Sequence, residues 1–264
     1  MTINFHQIKN FLHHFFTAKR NGHGVHSPFA YQLCEEVFYN KNKFYCFEEL
    51  NAIRNLLLTN ETELTVEDFG AGSKTFDSDK RKINALAKSG ISTNKQSEIL
   101  FKLLNFLNCK SSVELGTSLG LNTLYLALAN KNGKVISIEG SKNLFEFAKS
   151  LSEKNNIHNI KFIHSIFDKA LPTLLTEINS LDFFYVDGNH SYEATINYFK
   201  QALTKKNNQS VFVFDDIYWS KGMTEAWRFV SNHEEVTLSI DAFYFGFVFF
   251  RKEITSKTIL KFYI

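Results

Sequence analysis

The stretch VELGTSLGL, residues 113–121, followed by VISIEG at residues 135–140, decides how this chain is read. An apolar run, a turn carrying two glycines, an apolar helical stretch and a second run ending in an acid describe the nucleotide-binding half of a Rossmann-like sheet. The acid is Glu139. It follows Gly116 by roughly 20 positions, the spacing of a carboxylate that holds a ribose diol. The pair of runs points to an adenosine-containing cofactor and, taken alone, leaves a dehydrogenase turn, a hydrolase elbow and a methyltransferase loop all open.

Working outward, the order is regular from about residue 95. A helix with Ile99, Leu103, Phe106 and Leu107 at helical spacing precedes the strand SSVEL, and LNTLYLALA and VISIEG follow. Then come a helix near 142–155, the strand IKFIHS, a helix through LPTLLTEI, the strand LDFFYVDG, a helix near 192–205, the strand QSVFVFDD and a helix near 222–232. EVTLSID and FYFGFVFFRKE lie too close together for a crossover helix, so they are expected to pair as an antiparallel hairpin. The expected fold is α/β, a Rossmann-like seven-stranded sheet of five parallel strands plus this C-terminal hairpin. That is the arrangement of class I methyltransferases rather than of dehydrogenases. Residues 1–90 lack the alternation and are expected to be a mostly helical cap on the substrate side, with residues 91–264 forming the main domain.

Composition bounds the function classes. A chain of 264 residues with 44% hydrophobic content can bury a full core, and the abundant phenylalanine (28 residues) is expected mainly to fill it. The formal charge of +3 is spread along the chain, so no nucleic-acid partner is expected. Cys34, Cys46 and Cys109 share no metal or redox spacing, which fits a reducing cytoplasm. The opening MTINFHQIKNFLHHFF lacks a signal-peptide pattern, and no run reaches about 18 apolar residues, so neither export nor a membrane partner is expected. The helical cluster His6, His13 and His14 is expected to face solvent.

Two glycine patterns compete with the main motif. EDFGAGSKT, residues 67–75, has an acid and glycines, but polar and charged SKTFDSDKRK follows in place of an apolar helix; a structural or cleft-lining loop is expected there. Gly116, Ser118 and Gly120 also spell the GxSxG elbow of α/β-hydrolases, for which Asp215 and His233 are available downstream. Too few strands precede it for a hydrolase sheet, and Glu139 would have no role.

Chemistry in such sheets belongs at the carboxyl ends of the strands. Asp187 with His190 ends one strand and Asp215 with Asp216 the next. Three converging carboxylates repel one another unless protonated, paired or neutralised, and an all-oxygen set suits Mg²⁺ or another hard divalent cation. The competing reading makes these aspartates helix caps.

VELGTSLGLNTLYLALA, VISIEG, the ALP of residues 170–172, YVDGNHSYE and FDDIYWSKG together resemble the divalent-metal O-methyltransferases that use S-adenosyl-L-methionine. These include the catechol and caffeoyl-CoA types and the macrocin and mycinamicin sugar enzymes. The resemblance covers about residues 93–252. It implies that Gly116, Ser118 and Asn122 hold the methionine part of the cofactor, with Thr117 and Gly120 in the same loop and Glu114 supporting the turn. Glu139, beside Gly140, would accept the ribose hydroxyls; Ile166, Phe167 and Asp168 would line the adenine. Asp187 would lie near the cofactor amine and ligate the metal with Asp215 and Asp216. The catechol type has asparagine where Asp216 stands and lysine where His190 stands; the sugar type has histidine there. His190 would then be the base that takes a proton from a metal-bound hydroxyl of a small-molecule acceptor.

Alternatives from other classes remain. An N-methyltransferase is disfavoured because DGNH stands where an asparagine-proline-proline-aromatic motif would. A cofactor-binding protein without turnover is also compatible, as is a homodimer. The segment RNGHGVHSPFAYQL, with His23, His26 and Tyr31, offers too few ligands for zinc and reads as pocket lining or plain structure. HGVHSPF and DFGAGS are similar to segments of uncharacterised bacterial methyltransferases with this cap, which names no acceptor.

Overall fold

The computed structural model describes residues 5–67, 69 and 79–264. Of the EDFGAGSKT segment, residues 68 and 70–75 therefore lie outside the described residues.

The chain begins with α1 (Phe5–Thr17) and α2 (Pro28–Leu33). The second starts where Ser27 accepts the Ala30 N–H and Pro28 fills a first-turn position that needs no donor; it runs on into a π-helical turn, Cys34–Phe38. Next come α3 (Phe47–Thr59), an antiparallel ribbon of β1 (Glu63–Thr65) and β2 (Lys80–Lys82), and α4 (Ile83–Gly90). Helix α5 (Asn94–Leu107) opens on a full capping box between Thr93 and Gln96 and stops at Asn108 in the left-handed region.

The expected alternation follows. It runs β3 (Ser111–Leu115), α6 (Leu121–Ala129), β4 (Lys134–Glu139), α7 (Lys142–Lys154), β5 (Ile160–His164) and α8 (Phe167–Glu177). It continues through β6 (Leu181–Val186), α9 (Tyr192–Leu203), β7 (Lys206–Asp215) and α10 (Lys221–Asn232). The end is β-rich: β8 (Leu238–Asp241), β9 (Phe245–Phe249) and β10 (Thr258–Lys261).

The residues divide into two compact units, Lys41–Leu174 on the one hand and Met1–Asn40 with Leu175–Ile264 on the other. The stretch expected to be a cap at residues 1–90 is thus shared between them at Asn40 and Lys41. In the first unit β3, β4 and β5 are parallel neighbours, with Val113 opposite Ile136 and Ile138 opposite Ile163. In the second, β6 pairs parallel with β7, β7 antiparallel with β9, and β9 antiparallel with β8, so the expected hairpin is present.

One expectation needs correction. Among the described residues the main sheet has eight strands and not seven, because β10 pairs parallel with β8. This short strand, TILK, covers an edge that β8 would otherwise leave open. β10 is tied down in turn: Lys19 N–H donates to the Lys261 carbonyl at 2.8 Å, and Tyr263 N–H to the Lys19 carbonyl at 3.0 Å.

Phenylalanine does fill the core. Phe183, Phe184, Phe212, Phe214, Phe245, Phe247 and Phe249 are all fully buried, and consecutive buried positions on β6, β7 and β9 mean that both faces are covered. The histidine cluster departs from expectation: His13 is exposed, but His14 is buried, its Nε2 3.3 Å from Asp241 Oδ1. The residues between helix turns of α1 that meet Phe243 carry His14 inward with them.

Asp241 also accepts from Tyr218 Oη at 2.6 Å and from Phe243 N–H at 3.0 Å. Burial alone pushes its carboxyl up, but the donors from His14, Tyr218 and Phe243 outweigh it and hold the group below the usual range. A carboxyl depressed on folding stabilises the folded chain above its unfolded pKa, and that contribution is lost as pH falls through the folded value. Asp241→Asn should therefore cost on the order of 1–3 kcal/mol at pH 7. In urea titrations from pH 7 to pH 3 the substitution should also remove part of the acid sensitivity of the wild type; equal stability at pH 7 would show that the cluster contributes nothing.

Candidate functional site

The sequence-predicted residues fall into two clusters, one in each unit. In the unit Lys41–Leu174, the loop from β3 to α6 makes a turn that few residues tolerate: Gly116, Ser118 and Gly120 have φ of 103°, 50° and 83°. Gly120 is needed for space as well, since a Cβ there would stand 2.8 Å from Ala148 Cβ on α7. The turn brings the Ser118 N–H onto Glu139 Oε2 at 2.9 Å, and the Ser141 N–H reaches Oε1 at 2.9 Å. Burial raises the Glu139 carboxyl above its ordinary value, and the backbone donors around it only partly offset this. Glu139 sits at the tip of β4, half-buried like Gly116, Ser118 and Gly140, so this rim is open to a ligand.

The other loop residues are braces behind the rim. Glu114 is fully buried; Thr123 Oγ1 donates to its Oε2 at 2.5 Å and Ser137 Oγ at 2.6 Å, while Ser137 Oγ also lies 2.5 Å from Thr117 Oγ1. Asn122 accepts from Ser97 Oγ at 2.7 Å and donates to Ser92 Oγ at 2.9 Å. Behind it the buried Arg54 donates to Ser97 Oγ at 3.1 Å and to the Ser92 carbonyl at 2.7 Å. This network, which sequence reasoning missed, ties α3 and α5 to α6. A buried arginine in an otherwise amphipathic helix was its one sequence signal. Ile166, Phe167 and Asp168 lie where β5 gives way to α8, the first two half-buried and the last exposed.

The second cluster lies at the carboxyl ends of β6 and β7. Tyr185, fully buried, places its Oη 3.0 Å from Asp187 Oδ2 and 3.1 Å from Asp215 Oδ2. A phenol has one hydrogen for two acceptors, so these carboxylates are not both satisfied as anions by it. Burial, with Asp187 and Asp216 beside it, holds Asp215 well above the usual carboxylate range. Asp187 and Asp216 are also raised, in both cases mainly by burial, and His190 opposes the shift. The His190 Nε2 stands 4.0 Å from Asp187 Oδ1. Asp216 adopts a left-handed φ of 53° and donates its N–H to Asp215 Oδ1 at 2.8 Å.

Helix capping does not explain these acids. Ser191 caps α9 by accepting the Ala194 N–H, and Ser220 caps α10 by accepting the Met223 N–H. The four residues Asp187, His190, Asp215 and Asp216 are therefore free of the duty that most simply accounts for them. One buried and two half-buried carboxylates, all with oxygen donors, suit a hard divalent cation chemically. Among the described residues, however, no group of three His, Cys, Asp or Glu side chains stands ready at ligand spacing.

Residues 113–217 match a family model described as a methyltransferase domain. This stretch resembles a methyltransferase domain. Every sequence-predicted site residue, from Glu114 to Asp216, lies inside it. The domain is similar to a flavonoid 3',5'-methyltransferase of Vitis vinifera, 30% identical over 122 residues, covering 44% of this chain and 51% of that protein. It is similar also to a caffeoyl-CoA O-methyltransferase of Medicago sativa, 27% identical over 133 residues, covering 47% and 52%. The chain thus spans about half the length of the curated relatives it matches. Among solved structures, the O-methyltransferase from Bacillus cereus in complex with SAH matches with a TM-score of 0.56 at 16% identity, over 80% of this chain and 93% of that one. TomG from Streptomyces achromogenes, in complex with SAM, matches with a TM-score of 0.54 at 19% identity, over 61% and 82%. These likenesses establish the Rossmann-like methyltransferase fold. Among the described residues no helix is long and apolar enough to cross a membrane, and the three cysteines are free and buried.

Within the matched stretch, Tyr185→Phe keeps the buried ring and removes the shared hydroxyl. The variant should lose roughly 1–3 kcal/mol of stability at pH 7, measured by urea unfolding. An unchanged midpoint would show that the two aspartates do not depend on it.

Proposed function

We propose that the protein is an S-adenosyl-L-methionine-dependent O-methyltransferase of the caffeoyl-CoA type, acting with a divalent cation on a hydroxyl of a small molecule. The observation that carries this reading is Glu139, an accessible carboxylate at the tip of β4, pinned between the Ser118 and Ser141 N–H groups beside a glycine turn. It offers acceptor oxygens for a vicinal diol, and the turn offers backbone for close approach.

When bound, S-adenosyl-L-methionine supplies a sulfonium methyl that breaks from sulfur as it bonds to the acceptor oxygen, leaving the thioether. When bound, Mg²⁺ or a similar cation supplies positive charge that lowers the pKa of the acceptor hydroxyl. Glu139 binds the ribose, and the Gly116–Gly120 loop, braced by Glu114 and Thr117, keeps its backbone in shape to face the cofactor. Ile166, Phe167 and Asp168 border the adenine. Asp187, Asp215 and Asp216 would hold the cation, whose charge would replace the protons that their burial otherwise calls for. His190 takes the hydroxyl proton, which leaves the acceptor oxygen nucleophilic. The curated relatives named as flavonoid and caffeoyl-CoA enzymes support an acceptor of aromatic-hydroxyl character.

Calorimetry should detect binding of S-adenosyl-L-methionine, and turnover of a catechol-type acceptor should require Mg²⁺. His190→Ala should slow transfer about 10²–10⁴-fold, and Asp215→Asn should abolish the Mg²⁺ requirement along with the activity, both with cofactor affinity kept within a few-fold. Unchanged turnover in both variants would remove the mechanism; absence of cofactor binding would remove the reading altogether.

A further inference from the structure

Phe69 stands apart from the machinery described above and lies against it. The chain leading to it is fastened to the segment after β4: Asn143 Nδ2 donates to the Thr65 carbonyl at 2.7 Å, and the Glu67 N–H to Ser141 Oγ at 3.4 Å. These bonds set the Phe69 ring on Gly140, the residue next to the ribose carboxylate. A Cβ built on Gly140 would stand 2.7 Å from Phe69 Cδ2, 3.4 Å from Cγ and 3.5 Å from Cε2. The ring edge therefore occupies the space that a side chain at position 140 would fill. On the same short stretch, the Gly140 carbonyl lies 3.0 Å from His164 Nε2, at the end of β5 just before Ile166 and Phe167.

Burial in a core does not account for this ring. Phe69 keeps 56% of its surface exposed although it is held by its edge. An exposed aromatic face beside a ribose-binding carboxylate has an obvious complement, because the base of a nucleoside is attached to the ribose carbon next to the diol. A purine whose diol lies on Glu139 has Gly140 and its covering ring within its reach.

We propose that Phe69, a few residues after β1, is the stacking wall for the adenine of the cofactor, and that Gly140 is glycine to admit it. The proposal rests on the reading of Glu139 as the ribose ligand. It assigns Phe69 a specificity role, selecting a flat base, and no part in methyl transfer.

Titration calorimetry of the full chain with S-adenosylhomocysteine tests it. Phe69→Ala should weaken binding about tenfold or more, whereas Phe69→Trp should retain affinity and show an indole fluorescence change on binding beyond the background that Trp219 and Trp227 give in the wild type. Gly140→Ala should weaken binding comparably by evicting the ring, and the double variant Phe69→Ala/Gly140→Ala should bind no worse than the weaker single. Thermal unfolding of Phe69→Ala should stay near that of the wild type, separating a lost wall from a lost fold. Equal or tighter binding by Phe69→Ala, while Glu139→Ala abolishes binding, would overturn the proposal and leave the cofactor reading standing. Failure of the wild type to bind would remove both.

Discussion

A carboxyl group with no exposure sits at the centre of the nucleotide-binding half, and the geometry around it follows from giving it hydrogen-bond donors. Glu114 on β3 takes hydroxyl donors from Thr123 on α6 and Ser137 on β4, and Ser137 is in turn bonded to Thr117 in the loop. Burying an ionised carboxylate without donors would be prohibitive, so the small hydroxyl residues at these positions are dictated by it. Because its donors come from a strand and a helix, one carboxyl group ties β4 to α6, and Ser137 extends the tie to the loop through Thr117. The loop so held aims the Ser118 N–H at Glu139. The accessible carboxylate that meets a ligand is thus positioned by an inaccessible one that never does.

The acidic cluster follows the opposite logic. At the ends of β6 and β7, Tyr185 is the principal neutral donor between Asp187 and Asp215, and all three aspartates are shifted toward their protonated forms. A fold selected only for stability would place apolar or better-paired groups at such positions. Perturbed, imperfectly compensated carboxylates are instead characteristic of sites where charge arrives with a ligand. His190, within Coulombic reach of Asp187 and Asp216, is the one basic group the cluster brings with it.

Most of the fold was legible because parallel strands write themselves as apolar runs. SSVEL, VISIE, LDFFYV and VFVFD are each buried on both faces or nearly so, IKFIH is apolar but only half-buried, and the helices between them keep a 3.6-residue period. The last strand is not legible because TILK is short and follows a hairpin that by itself can end such a sheet. His14 was misplaced because its neighbours His6 and His13 are at least partly exposed; only the packing of α1 against Phe243 turns it inward.

What the sequence determined alone was therefore local: the glycine turn, the order of strands and helices, the carboxylate at the tip of VISIE, and the inventory of acids at DGNH and FDD. Residue type and spacing suffice for these because each depends on neighbours a few positions away. Tertiary structure decided the rest. It assigned the caps of α9 and α10 to Ser191 and Ser220, releasing the aspartates from that role. It set one tyrosine between Asp187 and Asp215, 28 positions apart in the chain, because β6 and β7 are paired neighbours. It also laid Phe69 on Gly140, where Thr65 of β1 is hydrogen-bonded to Asn143 of α7. Pairing across such separations is governed by packing, which no single stretch of sequence contains.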